Sequence, residues 1–238
     1  MNQETFIRHY KNEKKHWWFK GRREILKSIL KKNIKEKKLS ILDFGSGSGT
    51  NINILKEYGT VYVYEKNKIM RNLLKNKFQN NKNIKIIEKL NKLKYDIILA
   101  ADVIEHIKKD ILVIKKLNYF LKKKGKIFIT VPAYQFLFSK KDLELKHFRR
   151  YNVFNLKKIL INFKILKITY FNFFLFLPQS LLILFFKLFN INFIKNAEKT
   201  PNIFINSFLY IIFTLEKYFI NYINFPFGLS ILCVCQKK

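Results

Sequence analysis

The apolar positions divide the chain into short strands that alternate with amphipathic helices. Five short apolar runs predict strands at Ile41–Phe44, Val61–Tyr64, Ile84–Ile87, Tyr95–Asp102 and Lys126–Val131. Stretches with apolar residues three and four apart predict helices at Glu24–Lys35, Asn67–Asn80, Ile111–Leu121 and Asn155–Asn162. Two later strands are expected at Ile165–Tyr170 and Leu229–Val234. Strands alternating with helices are typical of an α/β fold built on a mainly parallel sheet.

A glycine-rich loop follows the first strand. Gly45, Gly47 and Gly49 occupy every second position, and an amphipathic stretch follows them. Strand, glycine loop and helix form the context in which a backbone approaches a nucleotide closely. Glu65, twenty residues after Gly45, ends the second strand and can accept hydrogen bonds from both ribose hydroxyls. The spacing differs from G-x-G-x-x-G, and with Asp43 before it the loop is similar to the first motif of class I S-adenosylmethionine (SAM) methyltransferases.

The fourth predicted strand ends at Asp102, and Glu105 and His106 follow shortly after. Ligands of open α/β sheets lie at the carboxyl ends of strands, so these side chains are expected beside the glycine loop. On one helical turn the three could bind a divalent cation. We favour the alternative, in which Asp102 serves a cofactor, Glu105 caps a helix and His106 packs, and we predict no metal.

A polar loop at 132–151 offers candidates for proton transfer. His147 is the best base, because imidazole titrates near neutral pH, and Asp142 could orient it. Tyr134 is a third catalytic candidate. The alternative is that His147 only hydrogen-bonds a loop carbonyl.

Arg149 and Arg150 stand out because only six of the 47 basic residues are arginine. A guanidinium fork matches the geometry of phosphate and carboxylate groups. With Tyr151, the two arginines are predicted to bind a diphosphate-linked or acidic sugar. Otherwise one pairs with a nearby acid and the other is solvated.

An aromatic cluster at His16–Phe19 precedes the first helix and does not fit one helix face. It could fill the core, or it could cover the cofactor or acceptor with Trp18 and Arg22 pointing inward. Both alternatives stay open.

A hydrophobic insertion of roughly 55 residues lies between the last two predicted strands, at 171–225. Its uninterrupted apolar parts fall short of the ~20 residues that a spanning helix needs. Lysine-flanked apolar segments are typical of interfacial helices at a membrane surface. The alternatives are a packed helical cap or a dimer face.

The formal charge of +31 invites a nucleic-acid interpretation. However, the lysines are spread along the chain and accompany many Asn, Ile and Phe residues, as the codons of a low-GC genome would produce. We therefore expect no nucleic-acid partner, although an anionic membrane remains compatible.

The localisation predicted from the sequence is cytoplasmic. The polar segment 1–15 argues against a secretory signal peptide. Cys233 and Cys235 are taken to point to opposite faces of a strand and to stay unpaired, which indicates a reducing compartment.

Five landmarks give the whole chain a resemblance to the Methyltransferase-23-like branch of class I SAM-dependent methyltransferases, often found with polysaccharide and glycolipid biosynthesis. They are HWWFxGRR at 16–23, DxGxGxG at 43–49, DVIEHI at 102–107, VPAY at 131–134 leading into HxRRY at 147–151, and PFGLS at 226–230. The chain departs from the branch at Ser46, where cysteine is frequent.

The resemblance implies a Rossmann-like sheet of seven strands whose last strand is antiparallel beside the fifth. It also implies SAM as the cofactor, with contacts from Asp43, Gly45, Ser46, Gly47, Glu65, Ala101, Asp102, Trp18 and Arg22. The domains expected are a helical cap at 1–38, a SAM-binding core at 39–170, the insertion at 171–225 and a last strand at 226–238.

The function predicted is O-methylation of a saccharide or lipid-linked glycan near the cytoplasmic membrane face. Alternatives are an RNA methyltransferase and a non-catalytic membrane-associated binding protein. The sequence leaves the acceptor and the oligomeric state open.

Overall fold

A seven-stranded sheet organises the computed structural model, which describes residues 10, 12–90, 92–189 and 200–238. The strands are β1 (Leu39–Phe44), β2 (Gly59–Tyr64), β3 (Ile84–Ile87), β4 (Tyr95–Ala101), β5 (Leu121–Pro132), β6 (Phe163–Phe171) and β7 (Ser230–Lys237). Their order across the sheet is β3-β2-β1-β4-β5-β7-β6.

The first five strands are parallel, and the central strands β1 and β4 are largely buried. β1 pairs with β2 and β4, and Ile41, Leu42 and Ile98 in these strands are fully buried. Burial on both faces explains their continuous apolar runs. β7 lies between β5 and β6 and is antiparallel, so the predicted methyltransferase sheet is confirmed.

Eight α-helices connect the strands within the described residues. They are α1 (Trp17–Asn33), α2 (Ile52–Leu55), α3 (Lys68–Phe78), α4 (Asp110–Phe120), α5 (Lys140–Glu144), α6 (Val153–Ile159), α7 (Phe176–Leu188) and α8 (Ile203–Phe219). Asn67 caps α3, because its side chain accepts hydrogen bonds from the backbone N–H groups of Ile69 and Met70. Asn202 caps α8 in the same way.

The chain forms two compact units. The first unit contains residues 1–33, 132–153 and 169–231, and the second contains 34–131, 154–168 and 232–238. The domain boundaries expected from the sequence stay a prediction. Parts of the expected N-terminal arm and of the insertion, residues 1–9 and 190–199, lie outside the described residues.

In the first unit, α1 packs closely on α8. A Cβ at Gly21 would lie 2.4 Å from Cδ1 of Phe213, so only glycine allows this approach. The Trp17 ring meets Phe213 edge-on at 5.8 Å between centroids, and Trp17 is buried. The Trp17 N–H also donates to Asn206 Oδ1 at 2.9 Å. Trp17 therefore packs in the core of this unit. This agrees, for Trp17, with the alternative in which the aromatic cluster fills the core.

In its described residues the insertion forms the helices α7 and α8, whose outward faces are strongly apolar. Within the described residues, no helix combines the length and the apolarity needed to cross a membrane. Glu216, within the apolar run of α8, is fully buried. Its carboxylate accepts backbone hydrogen bonds from Asn172 at 2.7 Å, Phe173 at 2.7 Å and Phe174 at 3.2 Å. The carboxylate thus ties α8 to the turn that precedes α7.

The orientation expected for the two cysteines is wrong. Alternate residues of a strand point to the same face, and the Sγ atoms of Cys233 and Cys235 lie 3.3 Å apart in β7. Both are unbridged thiols and fully buried.

Candidate active site

The glycine loop begins where β1 ends, in the second unit. The Gly45 N–H donates to the carbonyl of Tyr64 at 2.8 Å, which continues the β1–β2 pairing into the loop. Gly47 has a φ of +55°, a conformation that favours glycine, and an added Cβ there would meet nothing within 4 Å. The backbone of Gly47 is therefore open to close approach by a ligand.

Glu65 lies directly after β2 and is held by the loop it faces. Its Oε2 accepts from the Gly47 N–H at 2.8 Å, and its Oε1 accepts from the Asn67 N–H at 2.8 Å. The residue is only 8% exposed, so its two oxygens have a fixed direction. Each carboxylate oxygen has a second lone pair, which leaves capacity for a hydroxyl pair such as that of ribose.

The other predicted cofactor residues of this unit surround the same loop. The Ser46 hydroxyl donates to the Asp43 carbonyl at 2.9 Å, and both residues are buried. A Cβ at Gly45 would lie 2.7 Å from the Val103 side chain, so the loop and the segment after β4 are in close contact. The glycine loop and the segment after β4 therefore lie side by side, as expected from the sequence.

Asp102 follows Ala101, the last residue of β4, and takes an uncommon backbone conformation with a φ of +55°. Its Oδ1 accepts from the Thr130 hydroxyl at 2.8 Å, and its N–H donates to the Thr130 carbonyl at 2.9 Å. The 3₁₀ turn that follows contains only Ile104–His106. Asp102 therefore lies outside the helical turn that a shared face with Glu105 and His106 would need.

In the first unit, the loop at 132–151 contains a buried charged network centred on Asp142. Asp142 Oδ1 lies 2.8 Å from His147 Nδ1, so the carboxylate fixes the imidazole ring. Arg150 donates from Nε to Oδ1 at 2.9 Å and from Nη2 to Oδ2 at 2.8 Å. The Ser139 N–H also donates to Oδ2 at 2.9 Å, which forms a capping box at the start of α5.

This network determines the ionisation of Asp142. Burial by itself would raise the pKa of its carboxyl. Hydrogen bonds from His147 and Arg150, together with the charge of Arg150, outweigh burial and hold the pKa well below its usual range. Asp142 is therefore a carboxylate that accepts a hydrogen bond from the N–H at His147 Nδ1, and the tautomer with the proton on Nδ1 makes Nε2 the basic nitrogen.

The position of Arg150 corrects part of the sequence interpretation. Its fork binds Asp142 in a bidentate pair, and its side chain is 11% exposed, so it is engaged within the loop and is not presented to an acidic ligand. This is the alternative in which one arginine pairs with a nearby acid. Arg149 is half-buried, and its predicted contact with the acceptor stays a prediction.

Tyr134 and Tyr151 hold the loop together. The Tyr134 N–H donates to the Tyr151 carbonyl at 2.7 Å, and the Tyr151 N–H donates to the Pro132 carbonyl at 2.9 Å. Tyr151 is buried at 3% exposure. Burial and the neighbouring Tyr170, whose ring stacks on it at 5.2 Å, raise the pKa of Tyr134 well above its usual value. Tyr134 is thus a weaker base candidate than His147, and a substrate role for Tyr151 stays a prediction.

Trp18 and Arg22 lie next to each other on α1. The Arg22 guanidinium is 5.5 Å from the centroid of the Trp18 ring, and Arg22 is buried. Their predicted cover of the cofactor stays a prediction.

Two structural features escaped the sequence interpretation. The Ser139-x-x-Asp142 spacing is a capping-box signal that could have placed Asp142 at a helix start. Glu216 looked only like an interruption of an apolar run, and no local pattern identifies the backbone donors that it binds.

A family model described as a methyltransferase domain matches residues 15–163, and the chain belongs to that family. The sheet order and the glycine loop define a class I methyltransferase fold. The protein is therefore a SAM-dependent methyltransferase. No curated protein matches the sequence.

Solved structures share the fold at low sequence identity. One is a Galdieria sulphuraria protein assigned as a sarcosine dimethylglycine methyltransferase, with 13% identity, a TM-score of 0.58, and 90% of this chain and 84% of that one covered. A Bacillus halodurans protein assigned as a methyltransferase has 14% identity and a TM-score of 0.57, covering 89% and 98%. Phosphoethanolamine N-methyltransferase 2 of Haemonchus contortus, solved with SAM, has 16% identity and a TM-score of 0.58, covering 90% and 52%.

Proposed function

We propose that the protein methylates a hydroxyl group of a saccharide or lipid-linked glycan near the cytoplasmic face of a membrane. The observation that carries the proposal is the pair formed by Asp142 and His147, whose Oδ1 and Nδ1 atoms lie 2.8 Å apart. A hydroxyl acceptor needs a base that takes its proton as the oxygen attacks, and an oriented imidazole is suited to this task.

SAM supplies a methyl group that is already activated for in-line attack. In this proposal the backbone of the glycine loop at Gly47 would contact the cofactor, and Glu65 would accept hydrogen bonds from its ribose hydroxyls. Alignment of donor and acceptor is then the main contribution of the protein. His147 Nε2 takes the proton of the acceptor hydroxyl, while Asp142 keeps the ring in one orientation and stabilises the imidazolium that forms.

The acceptor class is supported by an apolar groove in the first unit. The groove is shallow and open to solvent, and it is lined by Phe136 of the loop at 132–151 and mainly by leucines of α7. Lys187 lies in the lining and donates to the Phe136 carbonyl at 3.1 Å, which attaches α7 to the loop. An apolar groove with one ammonium group fits an amphiphile that carries a hydrocarbon chain and an acidic linkage.

A methyl-transfer assay on extracts tests the acceptor class. Radiolabelled SAM is incubated with the enzyme and a fractionated extract of the source cells, and we expect the label in the lipid-linked glycan fraction as an alkali-stable methyl ether. Label found only in RNA or in protein would contradict the proposal.

Substitution of His147 tests the base. We expect His147→Gln to lower kcat by 10²–10⁴-fold with little change in the affinity for SAM, since proton transfer contributes by about that factor. Glu144→Gln is the control, because Glu144 is an exposed residue of the same loop. Full turnover in His147→Gln would show that another group takes the proton.

A further inference from the structure

We propose that α8, together with the lysine-bearing edge of α1, is a membrane-docking face that binds anionic lipid bilayers. The inference concerns a surface and does not depend on which acceptor is methylated. Its basis is an apolar stripe on α8, the lysines beside that stripe, and the polar anchoring of the opposite side of α8.

The apolar stripe follows the helical repeat along the exposed side of α8 and into the turn that follows. Its members are three and four residues apart, which places them on one face. They are all large, and their exposed fractions are 83% for Phe204, 63% for Phe208, 57% for Ile211, 44% for Leu215, 62% for Tyr218 and 80% for Tyr222. A contiguous face of this kind marks an interaction site.

The opposite side of α8 is held by contacts with the rest of the unit, so the helix cannot rotate to bury the apolar stripe. Phe213 and Glu216 are fully buried on that side, and Glu216 accepts three backbone hydrogen bonds from 172–174. The Ser28 hydroxyl of α1 donates to the Lys217 carbonyl at 3.0 Å, and the Asn221 side chain donates to Ser28 at 2.7 Å. Rotation of α8 to bury the stripe would break all of these contacts.

Lysines of α1 border the stripe. The Lys20 ammonium lies 4.3 Å from the centroid of the Tyr210 ring, and that of Lys32 lies 5.5 Å from the Tyr222 ring. Lys27 and Lys31 are exposed on the same side of α1 as Lys20, since they follow it by seven and eleven residues. Glu24, the acid on this edge, lies 3.8 Å from Lys217 of α8.

An anionic bilayer matches this arrangement better than a second copy of the chain. Apolar side chains of an interfacial helix enter the acyl boundary while neighbouring lysines contact the lipid phosphates. A second copy would bring the lysine edges of two highly basic chains together, at a formal charge of +31 each. The tyrosines at the carboxyl end of the stripe suit the headgroup level, where amphipathic rings are enriched.

Vesicle co-sedimentation tests the docking face. The full chain is mixed with phosphatidylcholine vesicles with or without 30 mol% phosphatidylglycerol, roughly the regime in which an anionic surface attracts basic segments. We expect binding to the anionic vesicles, and a loss of at least tenfold in affinity for Phe204→Ser/Phe208→Ser. Phe154→Ser is the matched control for an exposed phenylalanine and should bind like the unmodified protein.

The lysines are tested against an equal change of charge elsewhere. We expect Lys27→Gln/Lys31→Gln to weaken binding several-fold, and Lys115→Gln/Lys116→Gln, which removes two exposed lysines of α4, to have a much smaller effect. Equal losses in both variants would overturn the proposal, since the general lysine excess would then suffice.

The oligomeric state in solution distinguishes binding to a bilayer from binding to a second copy of the chain. Sedimentation velocity without lipid should show a monomer for the unmodified chain and for Phe204→Ser/Phe208→Ser. A dimer that this variant abolishes, or vesicle binding that it leaves unchanged, would overturn the proposal. Calorimetric titration with SAM reports the methyl-donor site separately, so a failure of membrane docking is distinguishable from a failure of the proposed function.

Discussion

Two buried carboxylates, Glu65 and Asp142, show how the same chemical group serves different ends in this protein. Among the described residues, Glu65 accepts hydrogen bonds from two backbone N–H groups, at 2.8 Å each, and so retains lone pairs for a ligand. The Asp142 carboxylate forms hydrogen bonds with His147, Arg150 and the capping N–H of Ser139, and so it orients these neighbours. The partners of each group, more than its burial, distinguish a binding role from an orienting role.

The role of Glu65 is testable by calorimetry. We expect Glu65→Ala to weaken the binding of SAM and S-adenosylhomocysteine by about 10- to 150-fold for each hydrogen bond lost, because a charge-assisted hydrogen bond contributes about 1.5–3 kcal/mol. Glu57→Gln, an exposed glutamate in the segment before β2, is the control. Equal affinities in Glu65→Ala and the unmodified protein would remove Glu65 from the cofactor site.

Asp142 should matter for stability as well as for catalysis. Asp142→Asn leaves the guanidinium of Arg150, 11% exposed, without its ionised partner. Breaking such a buried pair costs about 3–5 kcal/mol, so the free energy of unfolding from urea titration should fall by that order. Glu88→Gln, which breaks an exposed pair with Lys75, should change stability little. Similar effects of the two substitutions would contradict the assignment of Asp142 as a structural centre.

At the residue scale, the sequence predicted contacts between neighbouring segments better than the pairing of side chains within an irregular loop. Gly47 and Glu65 could be identified because strand, loop and acid are local in sequence and their spacing is set by the β-α-β connection. The pairing of Arg150 with Asp142 could not be predicted, because it depends on the path of an irregular loop that has positive φ at Tyr134 and Lys146. No periodic pattern reports such a backbone path.

At the scale of elements, helix α8 is fixed by contacts that are polar or very close, although its composition is mostly apolar. Asn206, Glu216 and the approach to Gly21 position it. The sequence indicated the apolar stretch but could not indicate which side would be buried. Long-range partners such as the 172–174 backbone determine that side.

Glu216 should make stability depend on pH. Burial raises its pKa to about 7, against the opposing effect of three backbone donors. The folded state then holds this proton more tightly than the unfolded state. The resulting stabilisation is present below the unfolded pKa near 4.5 and is lost as the pH rises through about 7.

Urea titrations between pH 5 and 8 measure this effect. We expect the free energy of unfolding to decline with pH by up to about 3 kcal/mol more in the unmodified protein than in Glu216→Gln, from 1.36 kcal/mol per unit of pKa shift. Glu24→Gln serves as the control on the exposed edge of α1. Identical pH slopes in Glu216→Gln and the unmodified protein would refute the role of this carboxyl.

The contact between α1 and α8 should be intolerant of one added methyl group. Gly21→Ala gains about 1 kcal/mol of helix propensity but places a Cβ against the fully buried Phe213, and overpacking typically costs about 1–3 kcal/mol. We expect a net loss of thermal stability. In a double-mutant cycle, Phe213→Leu should relieve part of that loss. A more stable Gly21→Ala variant would show that the helices can separate without cost.

At the scale of the whole molecule, charge is the dominant feature. A formal charge of +31 on 238 residues opposes compaction, and salt screens that repulsion over a Debye length of about 10 Å at 0.1 M. We expect the melting temperature to rise as sodium chloride increases from about 0.02 to 0.3 M. Sucrose at matched osmolality is the control for solvent exclusion. A melting temperature that stays constant in salt would indicate that opposite charges already balance the repulsion locally.

The fold class, the number of strands and the antiparallel last strand were predicted before the structure. Continuous apolar runs identified the parallel strands, because burial on both faces suppresses alternation. The place of β7 came from the family resemblance, since periodicity carries no information about which strands are neighbours. The orientation of Cys233 and Cys235 was a failure of the strand rule as applied, because residues two apart share a face.

The pair of buried thiols provides a chemical probe of local unfolding in the sheet. Both sulfurs are fully inaccessible and belong to a strand that has neighbours on either side in the sheet. The hydrogen bond with Cys235, together with burial, raises the pKa of the Cys233 thiol, which suppresses the nucleophilic thiolate. An alkylating reagent therefore reaches Cys233 only during excursions that detach the strand. The rate at which Cys233 is alkylated therefore reports unfolding of the sheet interior. Ligand binding at the glycine loop or lipid binding along α8 should leave this rate unchanged.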